Sequence, residues 1–393
     1  MQRTTTRTIV LLTAGCFLAF FVFGFTDNLK GPTLPAMLAE MHFSYGTGGN
    51  IFFGEYLGFL IATLVTGILA DRFGLKSAVL LAGMLLLVGV TGYSASHSAW
   101  LLAGSLFVIG MGLGALELGP NAIIVALHPE RKGMFLNLMS VMHGMGSLFA
   151  PLIAGAVLAA GTSWRSLYRW DLILAAAFTV YFLAARFPKS DGANLSPIRF
   201  QDIPRFAFKG QLPWFHGAIA LYVAVEIGMV TWLVTLLQEA RGASVIASNR
   251  ALTGFFALLM IGRFLGGFLV HRVGYLRSIF LAALGMLACL SLGLFGPPSF
   301  SFLLPATGFF CSIVFPTLTA AVSDADREHT NTVLGVLFTF AGLGGLVGPW
   351  LVAWGSELWG LERGFAVNVM LVLLLIGSLT VLMKGRQVET AAA

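Results

Sequence analysis

The segment "GILADRFGLKS" (residues 67–77) has a second copy, "GFLVHRVGYLRS" (residues 267–278), later in the same chain. Each copy joins two long apolar runs and therefore marks the short polar connection between two helices. A further matching pair, "GMGSLFAP" (residues 144–151) and "GLGGLVGP" (residues 342–349), follows in the same order and at nearly the same offset. Ordered matches of this kind indicate an internal duplication, so the chain is predicted to contain two equivalent halves.

The composition places both halves in a membrane. Of the 393 residues, 58% are hydrophobic and only 10% are charged, and the mean hydropathy is +0.89. So few charged side chains do not cover the surface of a water-soluble globule of this size. A helix needs about 20 apolar residues to cross a hydrocarbon core of about 30 Å. Runs of this kind occur near residues 9–37, 47–70, 75–94, 99–127, 133–160, 169–187, 212–240, 248–271, 277–296, 298–323, 330–356 and 362–384.

These runs predict helices rather than strands. They are longer than the about 10 residues of a transmembrane strand and show no alternation of apolar and polar residues. The predicted fold is an all-α integral membrane protein with twelve transmembrane helices in two pseudo-symmetric six-helix halves. We expect an N-terminal half at residues 1–187, a polar, proline-containing cytoplasmic linker at 188–211, and a C-terminal half at 212–393.

The distribution of basic residues predicts the orientation. With the N-terminus inside, 16 of the 23 lysines and arginines fall on the cytoplasmic side and 5 on the external side. Basic residues are enriched in cytoplasmic loops, so both termini are predicted to be cytoplasmic in a bacterial inner membrane. The net charge of +6 then reflects topology, and no nucleic-acid partner is expected.

The loop residues Gly67, Asp71, Arg72, Gly74 and Lys76 match the signature between the second and third helices of the major facilitator superfamily. The chain resembles that superfamily of secondary transporters over essentially its whole length. The resemblance implies two six-helix halves with a solute site near the midplane, alternating access and a monomeric state. The expected partners are a small-molecule substrate and membrane lipid.

Within the superfamily the sequence resembles the fucose/galactose/glucose proton symporter group. The segments that carry this resemblance are "GLGALE", ending at Glu117, "LYVAVEIGMVTW", containing Glu226, "IGRFLGG", containing Arg263, and "FP" at Phe315. The resemblance implies proton-coupled sugar uptake, with Glu117 as the group's proton-linked or sugar-binding acid.

The segment "FTDNLKGPTLP" (residues 25–35) departs from this group. The fucose carrier has its acidic residue near the position of Gly31, whereas this chain has Asp27 and a lysine, Lys30. Residues three apart on a helix share one face, so Asp27 and Lys30 are expected to neutralise each other at least in part.

Charged side chains within the runs narrow the mechanism. An ionised group at a helix centre costs about 2.5–3.5 kcal/mol on insertion scales, so such groups persist where they pair, titrate or face a cavity. The members of this set are Asp27, Lys30, Glu55, Glu117, Glu226 and Arg263. We predict Glu117 as the proton-coupling residue, with Asp27 as a second candidate. A structural ion pair between Glu117 and Lys30 is the alternative.

Several polar and aromatic residues are candidates for solute binding. Carboxylates and amides can accept or donate hydrogen bonds to sugar hydroxyls, and an aromatic face can lie against a pyranose. Histidine can relay a proton. The alternative for each is a role in helix packing. The candidates are Asp27, Asn28, Lys30, Glu117, Asn121, His143, Glu226, Trp232 and Phe315.

The repeated loop is predicted to act as a gate. The resemblance implies that Asp71 and Arg72 latch the cytoplasmic side, and Arg263 lies near enough to that side to join them. The second copy has His271 in place of the aspartate, so the latch is expected to be asymmetric. A solvated loop charge is the alternative role for Arg72.

The predicted function is proton-coupled symport of a small polar solute, with a monosaccharide, a hexose, as the first expectation. Two alternatives remain, namely an antiporter that exports drug-like or amphipathic compounds, and uptake of a sugar acid or organic anion at Lys30. An enzyme is not expected, because the sequence has no Walker phosphate loop, no spaced Cys/His cluster and no nucleophile elbow. No cofactor or metal is expected; the coupling ion is H+, with Na+ as the alternative.

Overall fold

The computed structural model describes residues 6–187, 208–325 and 330–392, and within these residues the regular structure is helical, with no strand. The first half of the chain forms α1 (Thr6–Asp27), α2 (Lys30–Met41), α3 (Tyr45–Phe73), α4 (Leu75–Ala95), α5 (Ala99–Leu127), α6 (Lys132–Ala159) and α7 (Trp164–Ala184). The second forms α8 (Leu212–Thr235), α9 (Val245–Val273), α10 (Tyr275–Phe295), α11 (Leu303–Cys311), α12 (Val314–Ala325), α13 (Thr330–Trp359), α14 (Leu361–Phe365) and α15 (Val367–Ala392).

These helices fall on the twelve apolar runs and confirm the all-helical membrane fold. Among the described residues, eleven helical stretches are long and apolar enough to cross a membrane. The remaining run corresponds to α3, whose 29 residues would extend about 43 Å at 1.5 Å per residue. The fold class predicted from the sequence is therefore correct.

Two of the spanning segments are broken rather than continuous, which the sequence analysis did not anticipate. The first breaks between α1 and α2, four residues before Pro32, and the tenth breaks between α11 and α12, four residues before Pro316. A proline has no N–H to bond the carbonyl four residues earlier, and its ring crowds that carbonyl. Helical bonding resumes with Thr33 N donating to the Leu29 carbonyl at 3.2 Å and the Thr317 N donating to the carbonyl of residue 313 at 3.1 Å.

The duplicated loop has the same geometry in both copies. Gly74 connects α3 to α4 with φ 82° and ψ 159°, and Gly274 connects α9 to α10 with φ 88° and ψ 152°. Each glycine N–H donates at 2.9 Å to the carbonyl four residues earlier, that of Ala70 or Val270. This backbone region is open to glycine alone, so the sequence repeat corresponds to a structural repeat.

Glycines also allow close helix crossings at equivalent places in the two halves. Between α1 and α6, a Cβ added at Gly24 would collide with the His143 carbonyl. Between α8 and α13, a Cβ added at Gly344 or Gly348 would collide with the carbonyl of Ala220 or Ala224. Small residues at such crossings bring the backbones together in membrane bundles.

The chain separates into two compact units. The first contains α1–α7 and also the start of α9, Val245–Thr253; the second contains α8, the rest of α9 and α10–α15. The predicted boundaries of the two halves, 1–187 and 212–393, stay a prediction. Residues 188–207 of the predicted linker lie outside the described residues.

The loop glycines can be tested by adding a methyl group. Because both occupy backbone conformations that only glycine tolerates, Gly74→Ala and Gly274→Ala should each destabilise the protein by about 1–3 kcal/mol. Thermal unfolding of purified protein in detergent measures this change. Gly104→Ala is the control, since Gly104 is an exposed glycine inside α5 with no heavy atom near an added Cβ. An equal melting temperature for all three variants would contradict the conformational argument.

Candidate proton and solute site

The break between α1 and α2 holds a buried lysine. Lys30, the first residue of α2, is 2% exposed, and its Nζ lies 2.6 Å from Asp27 Oδ1 and 3.1 Å from Glu55 Oε1. The same Nζ donates to the Tyr56 hydroxyl at 3.0 Å and lies 4.5 Å from the centre of that ring. We call Asp27, Lys30, Glu55 and Tyr56 the Lys30 cluster.

The positions of Asp27 and Lys30 at helix ends explain why their charges need partners. Asp27 stands at the C-terminus of α1 and Lys30 at the N-terminus of α2, so each charge opposes the dipole of its own helix. The break places the two residues three apart in a tight turn, where their side chains meet. Glu55 and Tyr56 approach from α3 and supply the two remaining oxygen partners of the ammonium group.

The cluster contains two carboxyl groups for one ammonium group. Glu55 is buried, and its Oε2 has no hydrogen-bond partner among the described residues. Asp27 is also a direct neighbour of Glu55. If both acids were ionised, the cluster would carry a net charge of −1 inside the first unit.

Glu117 lies on α5 and is half-buried. The Asn121 amide donates to the Glu117 carbonyl at 2.6 Å and reaches its Oε1 at 3.4 Å. The ion pair between Glu117 and Lys30 is not formed among the described residues, because Lys30 bonds the other acids. Glu117 therefore lies in a spanning helix with an amide, and no cation of the described residues, at its carboxylate.

Asn28 and His143 lie where α1 crosses α6. Asn28 is buried, and its amide donates at 2.9 Å both to the Gly24 carbonyl and to Ser147 Oγ. The Ser147 hydroxyl donates in turn to the His143 carbonyl at 3.0 Å. The His143 ring packs edge-on against Phe23, with ring centres 4.8 Å apart. These contacts support a packing role for Asn28.

In the second unit, Glu226 on α8 belongs to a smaller polar group. The Tyr222 side chain interacts with the Glu226 carboxylate and lies near the Arg263 guanidinium. The Tyr222 hydroxyl also donates to the carbonyl of Cys311, the last residue of α11, at 2.9 Å. Arg263 itself is exposed.

The two aromatic candidates have different surroundings. Trp232 is fully buried, and its indole N–H donates to the Pro349 carbonyl at 3.0 Å, which supports a packing role. Phe315 is half-buried and stacks on Phe338 with ring centres 5.9 Å apart and planes parallel to within 1°. Because Phe338 is 46% exposed, this stack retains an accessible aromatic face.

In the duplicated loop, Arg72 is exposed and its guanidinium lies 5.3 Å from the centre of the Phe73 ring. The Asp71 side chain lies outside the described part of the structure. Lys76 Nζ donates to the carbonyls of Leu183 and Ala185 at 3.0 and 2.8 Å. Lys76 thus binds the C-terminal end of α7, where a cation complements the helix dipole.

The sequence profile described as Major Facilitator Superfamily matches residues 16–349 and, in a second alignment, residues 251–391. The chain belongs to the Major Facilitator Superfamily. It is a multi-pass membrane transporter and, like the rest of this transporter superfamily, not an enzyme.

Among curated relatives, the chain is 26% identical over 377 residues to a glucose/galactose transporter of Brucella abortus, covering 90% of this chain and 89% of that protein. It is 23% identical over 366 residues to the L-fucose-proton symporter of Escherichia coli, covering 84% and 83%. A crystal structure of the nucleoside transporter NupG superposes with a TM-score of 0.79 at 12% identity, covering 96% and 100%. At this identity the superposition shows the fold alone.

One buried acid of the first unit is absent from the residues predicted for the site. Asp171 on α7 is fully buried, and both of its carboxylate oxygens accept from Thr26 Oγ1, at 2.9 and 3.0 Å. The residue stands just inside the sixth apolar run, where an acid in an otherwise apolar segment is a visible signal. Tyr56 gave no such signal, because its role depends on a neighbouring helix.

Removal of the buried ammonium group should be costly. Lys30→Met leaves the Asp27 and Glu55 carboxyl groups buried against each other, and breaking a buried pair in this way costs about 3–5 kcal/mol. Glu130→Gln is the control, because Glu130 is an exposed carboxylate beyond the C-terminus of α5 and surface substitutions of this kind change stability by about 0.5 kcal/mol or less. Thermal unfolding in detergent compares the two. An Lys30→Met protein as stable as the control would show that the cluster is not a structural requirement.

Proposed function

We propose that this transporter is a proton-coupled symporter that takes up a monosaccharide, a hexose in the first instance, by alternating access. The names of the relatives support a sugar, since one is a glucose/galactose transporter and another an L-fucose-proton symporter. The second name also supports a proton as the coupling ion, with Na+ as the alternative that carboxylates equally allow.

The observation that carries the proposal is the environment of Glu117. Its carboxylate lies in a spanning helix beside an amide, Asn121, and pairs with no cation among the described side chains. Acids persist in such positions where they hold a proton or face water. A carboxylate can also accept two sugar hydroxyls, one on each oxygen. Glu117 and Asn121 therefore suit a site that binds both a proton and a polyol.

The second unit, taken by itself, also contains groups that suit a sugar. Glu226, near the Tyr222 hydroxyl, can accept hydroxyl hydrogen bonds. The Phe315–Phe338 stack can pack against the apolar face of a pyranose, as aromatic rings do in many ligand sites. We keep Arg72 and Arg263, both exposed, as the proposed gate residues.

The surroundings of Lys30 argue against the uptake of an anion at that residue. An ammonium group has three N–H donors, and the Lys30 ammonium has three oxygen partners, on Asp27, Glu55 and Tyr56. It is also 2% exposed. A solute carboxylate would have to displace one of the two buried acids. Among the described residues, no specific contact favours the export of an amphipathic compound.

We also propose that the protein lies in a bacterial inner membrane with both termini in the cytoplasm, on the distribution of lysine and arginine given above. Tags at either terminus should then be accessible to antibody only after the cells are permeabilised. Antibody binding to the tags of intact cells would show that the termini are external and contradict the proposed orientation.

Neutralisation of Glu117 tests the coupling. Glu117→Gln keeps the shape of the side chain but cannot ionise, so hexose exchange between equal pools should continue while uphill accumulation driven by a pH gradient is lost. Transport of radiolabelled hexose into liposomes measures both modes.

The matched control is Glu130→Gln, because Glu130 is an exposed carboxylate just beyond the C-terminus of α5. It should accumulate hexose as the wild type does. Full gradient-driven accumulation by Glu117→Gln would remove Glu117 from the coupling mechanism.

A further inference from the structure

The Lys30 cluster has a proton-binding chemistry of its own. Its two carboxyl groups face one ammonium group, so one acid can be neutralised by Lys30 and the other cannot. An unpaired ionised carboxylate in a low-dielectric interior is strongly unfavourable, and two neighbouring carboxylates disfavour the ionisation of each other. A single bound proton makes the cluster neutral.

The geometry distinguishes the two acids. Asp27 forms the shorter contact with Lys30, 2.6 Å against 3.1 Å for Glu55, and its side chain is 19% exposed against 4%. Glu55 also has the oxygen, Oε2, that lacks a hydrogen-bond partner among the described residues. Lys30 therefore pairs more closely with Asp27, and Glu55 is the better placed of the two acids to hold a proton.

Among the described residues, the other titratable groups around Glu55 supply no second cation. Tyr93 on α4 and Tyr168 on α7 lie near enough to interact with it electrostatically. The Tyr93 hydroxyl donates to the sulfur of Met37, and the Tyr168 hydroxyl lies 3.4 Å from Thr33 Oγ1. On the α5 side, the backbone of Glu55 packs against Gly110. Neutral hydroxyls and a glycine leave the charge imbalance in place.

We propose that the Asp27/Glu55 pair is a proton-binding site, with Glu55 as its main proton holder, distinct from Glu117. The bound proton keeps the cluster neutral while it is buried, and Lys30 stays paired with Asp27. When the proton leaves, the cluster carries one net negative charge and requires contact with water. The site can thus couple the hydration of this part of the first unit to proton release. Its use in transport rests on the proposed symport, whereas proton binding does not.

Infrared spectroscopy tests proton binding without any solute. A protonated carboxyl group absorbs at a C=O stretching frequency separate from that of a carboxylate, so purified wild-type protein at neutral pH should show this absorption from the Asp27/Glu55 pair. Either Glu55→Gln or Asp27→Asn leaves one acid for one lysine, and each should remove the contribution of one protonated carboxyl group. Glu130→Gln, at the exposed carboxylate beyond the C-terminus of α5, should leave the absorption unchanged.

The outcomes separate the two proposals. Loss of the protonated-carboxyl absorption in both cluster variants supports the site, even if no hexose is transported by the wild type. An absorption identical to that of the wild type in both variants would overturn it. If Glu55→Gln does not give a monodisperse protein, the absorption of Asp27→Asn and of the conservative variant Glu55→Asp tests the site instead. Glu55→Asp is expected to retain a protonated carboxyl group that absorbs at a shifted frequency. In liposomes, Glu55→Gln should reduce gradient-driven accumulation several-fold while exchange persists.

Discussion

A lysine inside a membrane bundle must find negative charge, and the first unit is organised around that requirement. Lys30 lies in a helix break, and its ammonium group is enclosed by two acids and a tyrosine. The break itself arises because Pro32 cannot bond the carbonyl of Asn28. One proline thus places Asp27 and Lys30 at facing helix ends, and α3 closes the cluster from the side.

The polar residues at the end of α1 each bind a polar group on another helix. The Thr26 hydroxyl donates a hydrogen bond to the buried Asp171 carboxylate. The next residue, Asp27, forms an ion pair with Lys30. The Asn28 amide donates a hydrogen bond to the Ser147 hydroxyl. Three consecutive residues therefore satisfy three neighbouring elements at the end of α1. Glu117 differs from these groups because, among the described residues, its carboxylate contacts only the Asn121 amide. That difference separates a candidate transport residue from residues that hold the helices together.

The sequence was sufficient for the fold and for part of the site. The lengths of the apolar runs and the repeated loop predicted the helices. The thickness of the membrane sets the length of each run, and the turn conformation requires a glycine, so both features are visible in a sequence. Spacing also indicated the Asp27–Lys30 pair. It could not indicate Glu55 as a partner, since that contact depends on how α3 packs against the break. The burial of Trp232 was equally inaccessible, because a tryptophan in an apolar run has the same sequence context whether it packs or binds a solute.

The most direct test of the account is proton movement during hexose addition. Purified protein in liposomes that contain a pH-sensitive dye would be given single hexoses, then nucleosides, sugar acids and lipophilic cations. Proton-coupled sugar symport predicts that the lumen becomes acidic with at least one hexose, because each sugar carries a proton inward. No pH change with any hexose, together with a response to another solute class, would contradict proton-coupled sugar symport.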